Sequence, residues 1–311
     1  MKTRRLGSNG PEISIIGYGA WEASGHWGEK FDENQIIAAI HAGIEAGINW
    51  IDTAEAYGPY VSEEIVGRAV AGAKDILVAT KVAPTVGGFR ADQIRKAAEG
   101  SLARLGRDLI DLYQLHWPAG DVPVEESWQA MCELQADGLV RCIGVSNFNE
   151  DLIERCEKVG HVDSIQPHLS MLHRTNLDVI RFAADNGTGV VAYGPLAYGL
   201  LTGTVTKDAT FDEGDWRGGA RGFDLYDRFF APGAIEKHLA VVEELRPIAE
   251  RAGLSLPDLA TAWVVQQSGV TSAIVGSRNP QHVRANAVGA EGLLSDDVFS
   301  DIEEVLAQTD E

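Results

Sequence analysis

Asp52, Tyr57, Lys81 and His116 are the residues of this chain whose types and placement could do chemistry together. Each stands at, or just past, the end of an apolar run, the runs being residues 49–52, 76–81 and 110–116. A carboxylate, a phenol, an ammonium and an imidazole in one place can deliver a proton to a carbonyl oxygen. Hydride addition to a carbonyl carbon builds negative charge on that oxygen, so a proton or a strong hydrogen bond must meet it. A tyrosine hydroxyl, with an ordinary pKa of about 10, is available as an acid at neutral pH. A neighbouring ammonium would stabilise the phenolate, so the expectation is a Tyr57 whose pKa Lys81 lowers. Asp52 would keep that lysine charged and fixed, and His116 would orient the carbonyl or share the proton. A lone Asp or Lys at a strand end is usually just an ion pair, and a lone tyrosine just packs. Four such coincidences in the first half of one chain favour the chemical reading.

The elements that must position these residues alternate along the chain. Strand patterns cover residues 15–20, 49–52, 76–81, 110–116, 142–147, 164–167, 189–193 and 272–277. Helical patterns fall between them: 32–46, 92–105, a stretch around Trp128 ending at Gly138, 149–158, 176–186, 234–252 and 257–268. Asp32 and Gln35 have capping-box spacing at the first helix, and Ser295 opens a last one. This is the arithmetic of an α/β chain folded as a (β/α)₈ barrel over residues 1–311, one domain, with every strand C-terminus on one face. Two short strands about an Asn9-Gly10 turn would precede the barrel and cap its bottom. The stretch from Gly199 to Gly233 is too long for an ordinary connection and carries Trp216, Phe223, Tyr226, Phe229 and Phe230. It reads equally as a lid or substrate wall and as a surface loop packing its own aromatics.

Composition narrows the partners. Lys and Arg number 26 against 46 Asp and Glu, a formal charge of −20 over 311 residues. Nucleic acid and anionic membrane both need basic surface and are disfavoured. An anionic cofactor would need a local cationic cluster working against the overall field. Cys132, Cys142 and Cys156 are odd in number and lack metal-ligand spacing, which argues for a reducing compartment and against a disulfide framework or a metal site. Arg4 and Arg5 have no apolar segment behind them, and no apolar run reaches spanning length, so a soluble cytoplasmic protein is expected.

The stretch Asp52-Thr53-Ala54-Glu55-Ala56-Tyr57-Gly58, followed by Ser62-Glu63-Glu64 and Gly67, resembles the signature of aldo-keto reductases. The Lys81 strand, the run Leu112 to Pro118 and Gly144-Val145-Ser146-Asn147-Phe148 are similar to that family's later motifs, so the resemblance spans nearly the whole chain. It implies that Asp52, Tyr57, Lys81 and His116 form the catalytic tetrad, with Tyr57 as general acid. His116 is the family's ordinary residue there; a glutamate would have implied reduction of steroid double bonds. No G-x-G-x-x-G follows the first strand, so no Rossmann-type grip is expected. The resemblance implies instead that Ser146, Asn147 and Gln166 bond a nicotinamide carboxamide while Tyr193 stacks on the ring. It gives the pyrophosphate to backbone around Gly194, Pro195, Leu196, Gly199 and Leu201. Gly276, Ser277 and Arg278 open a helix, a place suited to phosphate. In the family that place takes the adenosine 2′-phosphate, which favours NADPH/NADP+ over NADH. His282 and Asn286 would complete the adenosine site. His282 replaces a usual Gln or Arg, and Ala285 replaces an acid that folds over the adenine in many relatives.

Trp21 and Trp117, just past strand ends, are placed to wall a substrate pocket, with Trp27 and Phe89 as weaker candidates. Tyr60 replaces the second glycine of the family's Tyr-Gly-x-Gly pattern and would narrow the pocket or pack on the surface. The expected activity is NADPH-dependent reduction of an aldehyde or ketone, with a small-molecule carbonyl as partner. Two alternatives use the same scaffold: an NAD(P)+-dependent sugar or alcohol dehydrogenase, and a cofactor-binding regulatory subunit like the potassium-channel β subunits. Those subunits usually carry an N-terminal extension, whereas this chain enters its hairpin by residue 3. An unrelated barrel hydrolase lacks support, because neither metal-ligand spacing nor a nucleophile motif is present.

Overall fold

Successive side chains of a strand point to opposite faces, and eight parallel strands closed on themselves turn one face inward. The structure, a computed structural model, describes residues 1–28, 32–85, 88–120, 122–219, 224–289, 292 and 294–308. Its barrel strands are β3 (Ile16–Gly19), β4 (Trp50–Asp52), β5 (Leu77–Val82), β6 (Ile110–Leu115), β7 (Val140–Ser146), β8 (Ser164–Gln166), β9 (Gly189–Tyr193) and β10 (Ser272–Val275). They pair in parallel in chain order, and β10 closes on β3. Around them run α1 (Glu33–Glu45), α2 (Val61–Ala69), α3 (Ala91–Leu105), α4 (Val124–Ala136), α5 (Glu150–Glu157) and α6 (Leu177–Asp185). After β9 come α7 (Asp224–Phe229), α8 (Ala234–Ala252) and α9 (Leu256–Gln266); α10 (Pro280–Gly289) and α11 (Asp296–Ala307) follow β10. The (β/α)₈ expectation is met.

The hairpin β1 (Thr3–Arg5) and β2 (Glu12–Ser14) stoppers the bottom. Its connection is not the tight turn centred on Asn9-Gly10: Leu6 N bonds Pro11 O, and Gly10 N bonds Leu6 O, within a longer loop. Within that loop Gly7 (φ +59) closely approaches the backbone of Asp163, Gly187 and Gly189. At α1, Asp32 caps through Asn34 N, and the reciprocal Gln35 bond of a capping box is absent among the described residues. The start of α2 has no sequence cap, because Tyr60 holds the N-cap position with φ 74.

Inside the barrel, the chemistry changes with height. Leu6 and Ile13 of the hairpin meet Trp50, Ala79, Leu112, Cys142, Val191 and Ile274 in one buried cluster. Two residues further along the same inward faces stand Asp52, Lys81, Gln114, Gly144, Tyr193 and Gly276. The lower layer is an apolar plug, and the upper layer is polar. Trp50 carries the plug: its Nε1 donates to Ser14 O at 3.1 Å and Ser272 Oγ at 3.2 Å. Gly17 makes room for it, since a Cβ there would lie 2.2 Å from the indole Cε2. The upper layer is anchored by Lys81 Nζ, 2.6 Å from Asp52 Oδ1, with both side chains almost fully buried. The three cysteines are free, and burial pushes the thiols of Cys142 and Cys156 up to about 12, leaving them protonated and inert.

Both layers generate stability predictions. Gly17→Ala should cost about 1–3 kcal/mol, the usual range for overpacking, because Trp50 must shift; urea unfolding would measure it, and wild-type stability would show that the ring has slack. Lys81→Met should cost about 3–5 kcal/mol by stranding a buried carboxylate, and adding Asp52→Asn should recover most of that. A single variant as stable as wild type would contradict the buried-pair account.

Candidate active site

The C-terminal ends of the strands surround a cavity of about 1260 Å³. Tyr57, on the turn between β4 and α2, reaches Lys81 at its floor. Lys81 Nζ donates to Asp52 Oδ1 at 2.6 Å, to Thr53 O at 2.9 Å and to Tyr57 Oη at 3.3 Å. The other Asp52 oxygen accepts from Gln166 Nε2 at 2.8 Å. His116, just beyond β6, packs edge-on against Tyr57 with ring centroids 5.6 Å apart and lies flat on Trp117 at 3.6 Å. The tetrad expected from the sequence is assembled, and Tyr57 and His116 line the cavity.

Electrostatics correct one expectation. The Tyr57 hydroxyl is pushed well above its usual value, first by burial and then by the charge of Asp52. Lys81, 3.3 Å from the hydroxyl, does not offset that burial. Burial raises Asp52 and lowers Lys81, while their mutual attraction opposes both shifts. His116 is held well below the normal imidazole range by burial and by Lys81, so it is neutral. Its buried Nδ1 has no partner among the described residues. The arrangement is a firmly protonated phenol beside a neutral imidazole, which suits donation to an oxygen that gains charge.

The nicotinamide residues expected from the resemblance also converge. Asn147 (φ 62) sits just past β7 and donates to His116 O at 3.2 Å and Ser146 Oγ at 3.1 Å. Tyr193 Oη donates to Asn147 Oδ1 at 2.8 Å, and Ser146 Oγ donates to Gln166 O at 2.9 Å. Ser146, Asn147, Gln166 and Tyr193 all line the cavity beside the tetrad. These amides and a hydroxyl, next to a flat ring with its hydroxyl pinned, fit a carboxamide-bearing aromatic ring.

The remaining candidates do not line that cavity. Gly194 has φ +73, and Pro195 and Leu196 lead into a 3₁₀ turn at Ala197–Thr202, where Gly199 has φ +104 and Leu201 is fully buried. Gly276 packs under Glu22, whose Oε2 would be 2.1 Å from any Cβ there. Ser277 Oγ accepts from Asn279 N at 3.1 Å at the entrance to α10. Arg278 donates to Trp27 O at 2.9 Å. His282 is exposed and Asn286 half-buried on α10. Glu22 is the unforeseen member: burial pushes its carboxyl up to about 7, against the pull of Arg278 and Arg217.

The walls differ in part from expectation. Trp21 and Trp117 line the cavity. Tyr60 does not; its ring is 38% exposed and covers the Arg104 guanidinium at 4.2 Å. Trp27 and Phe89 are buried away from it, although Trp27 supports Trp21 edge-on at 4.9 Å. The long loop both packs its own aromatics and walls the cavity. Trp216 stacks on Trp21 at 5.8 Å, and Trp216 N donates to His26 O at 3.1 Å, tying the loop to the β3 turn. Phe229 and Phe230 are buried, Tyr226 is half-buried, and Phe223 lies outside the described residues. Sequence reasoning missed Tyr198, His168 and Arg228, which line the cavity too. Only His168 left a signal, standing two residues past Gln166 on the same alternation.

Comparison with known proteins agrees with this geometry. The model of the aldo/keto reductase family matches residues 15–307. Aldo-keto reductase YhdN of Bacillus subtilis (strain 168) is 36% identical, over 99% of this chain and 95% of its own. The NADH-specific methylglyoxal reductase of Escherichia coli (strain K12) is 32% identical, over 95% of each chain. Among solved structures, the glycerol dehydrogenase AKR11B4 from Gluconobacter oxydans superposes with a TM-score of 0.85 at 34% identity, covering 99% of this chain and 95% of that one. With a barrel, a tetrad and near full-length relatives in agreement, this chain belongs to the aldo/keto reductase family and is an oxidoreductase.

Proposed function

We propose that this protein reduces an aldehyde or ketone to an alcohol with NADPH, Tyr57 acting as the general acid. The observation that carries the reading is Lys81 Nζ bonded at once to Asp52 and, at 3.3 Å, to Tyr57 Oη at the floor of the cavity. When bound, the dihydronicotinamide supplies a hydride to the carbonyl carbon. Tyr57 supplies the proton to the carbonyl oxygen as negative charge grows there. Lys81, fixed by Asp52, steadies the phenolate left behind, and neutral His116 orients the carbonyl through a ring N–H. Tyr193 would seat the nicotinamide, with Ser146, Asn147 and Gln166 holding its amide so that one ring face meets the substrate.

Reduction is the direction proposed because Tyr57 rests in the protonated form that reduction draws on, burial and Asp52 disfavouring the phenolate at rest. The reverse reading keeps support from the relative named glycerol dehydrogenase. For the cofactor, Arg278 and Ser277 at the start of α10 offer a guanidinium and a hydroxyl to a 2′-phosphate. One relative is named NADH-specific, so the preference is a property to measure on this chain. The substrate should not be anionic, because Glu150, Asp151, Asp178 and Asp224 line the cavity against the one arginine, Arg228.

Tyr57→Phe should bind NADPH as wild type does and lose roughly 10²–10⁴-fold in kcat, the usual worth of a positioned acid. Loss of NADPH absorbance with an aldehyde panel reads this out, and near-normal turnover would sink the assignment. Arg278→Ala should weaken NADPH by about tenfold or more and NADH by little, since one charge-assisted bond is worth about 1.5–3 kcal/mol. Equal losses for the two cofactors would exclude a 2′-phosphate role.

A further inference from the structure

Tyr193 is not a lone ring. Behind it lies His168, 5.0 Å away with the planes only 12° apart, and behind that His173, 4.5 Å away at 24°. Arg228 of α7 closes the far end, with Nη1 3.0 Å from both ring nitrogens of His173 and Nη2 2.9 Å from Asp224 Oδ2. The column therefore runs from the long loop inward to the tyrosine. We propose that His168 is a positioning residue for the nicotinamide: it backs the Tyr193 ring, and Arg228, through His173, holds that backing in place. This rests on the reading above, in which the cofactor's ring stacks on Tyr193.

Three features make the column a built device. Backbone pairing fixes its register: Tyr193 N donates to Pro167 O and Leu169 N to Tyr193 O, each at 3.0 Å, so His168 and Tyr193 must stand side by side. Asn176 Nδ2 adds a bond to His168 O at 2.9 Å. Space is the second. A Cβ on Gly194 would lie 2.7 Å from the His168 ring, so the residue after Tyr193 must be small for the imidazole to slide behind it. The third is lateral confinement, by Tyr198 at 5.4 Å and Phe229 at 5.5 Å. On the cavity side, the hydroxyl bond to Asn147 sets the tilt of the tyrosine. One ring face and the hydroxyl are then both held, and a ligand stacked on the other face meets a platform that does not yield.

The choice of imidazole has an electrostatic consequence. Burial holds His168 well below its normal range, and burial with the Arg228 charge takes His173 down to about 4. Both rings are neutral at ordinary pH. A neutral ring behind Tyr193 leaves its face electron-rich, which suits a nicotinamide ring that is cationic when oxidised. A cation in that place would repel it.

A bland alternative is a histidine that merely fills core volume, and leucine would then serve as well. The test compares wild type, His168→Leu and His168→Phe by calorimetric titration with two probes: NADPH, and adenosine diphosphoribose 2′-phosphate, which lacks the nicotinamide. His168→Leu should bind NADPH about three- to tenfold more weakly, the worth of one ring–ring contact, with the nicotinamide-free probe unchanged. His168→Phe, which restores a flat ring, should return NADPH binding to near wild type, and Arg228→Leu should shift NADPH in the same direction as His168→Leu. Wild-type NADPH affinity in His168→Leu would overturn the proposal, as would equal weakening of both probes or failure of phenylalanine to rescue. If the wild-type protein bound the nicotinamide-free probe but gained nothing from the nicotinamide, the stacking reading would fall and this inference with it.

Discussion

Taking an ammonium and a carboxylate out of water costs several kcal/mol per ion, and only good geometry with every donor used offsets it. The mouth of this barrel is organised around that constraint. Lys81 has three N–H groups, and three acceptors meet them: Asp52, Thr53 O and Tyr57 Oη. The second Asp52 oxygen is taken by Gln166. Satisfying the pair fixes where the phenol must stand and ties a proposed amide-binding residue to the same carboxylate. The apolar plug below, from Trp50 to the hairpin, keeps water from reaching the pair from beneath.

Burial makes the pair's neighbours behave as neutral groups. Tyr57 holds its proton and His116 stays unprotonated, both for want of solvation. Preorganised neutral donors at a site of developing negative charge need little rearrangement when that charge appears. The Asp52–Lys81 pair thus sets geometry more than it sets the acidity of the phenol. The phenol therefore rests in the protonated form from which the proposed reduction starts.

The barrel and the tetrad were legible because parallel strands read as apolar runs and their polar ends are abrupt. Asp52, Lys81 and His116 each interrupt such a run, and inward alternation brings them together without further information. The roles proposed for Ser146, Asn147, Gln166 and Tyr193 needed the resemblance, since amides at strand ends are individually commonplace. What stayed hidden depends on contacts between distant segments. Tyr60 sits beside Tyr57 in sequence, but its left-handed backbone turns it onto Arg104 instead of the pocket. The shift of Tyr57 depends first on how deeply the hydroxyl is buried, which spacing does not encode. His168 gains its meaning only from the register of β8 against β9, and Arg228 only from where the long loop lands.

A chain of net charge −20 still has to admit an anionic dinucleotide if the proposed cofactor is right. Exposed charges more than about 8 Å apart are largely screened at physiological salt, so the overall charge acts on approach more than on the bound state. Binding is decided locally, and there the residues lean the other way. Arg278 stands beside Glu22, where an ordinary carboxylate would cancel part of its field, while nearby Arg217 is already paired with Asp215 at 2.6 Å. Burial against Gly276 pushes that carboxyl up to about 7, so at neutral pH it carries only part of a charge. An arriving phosphate would favour the protonated form further, since like charges cannot cheaply share a desolvated site. Glu22 can therefore stand beside Arg278 without forfeiting its attraction for an anion.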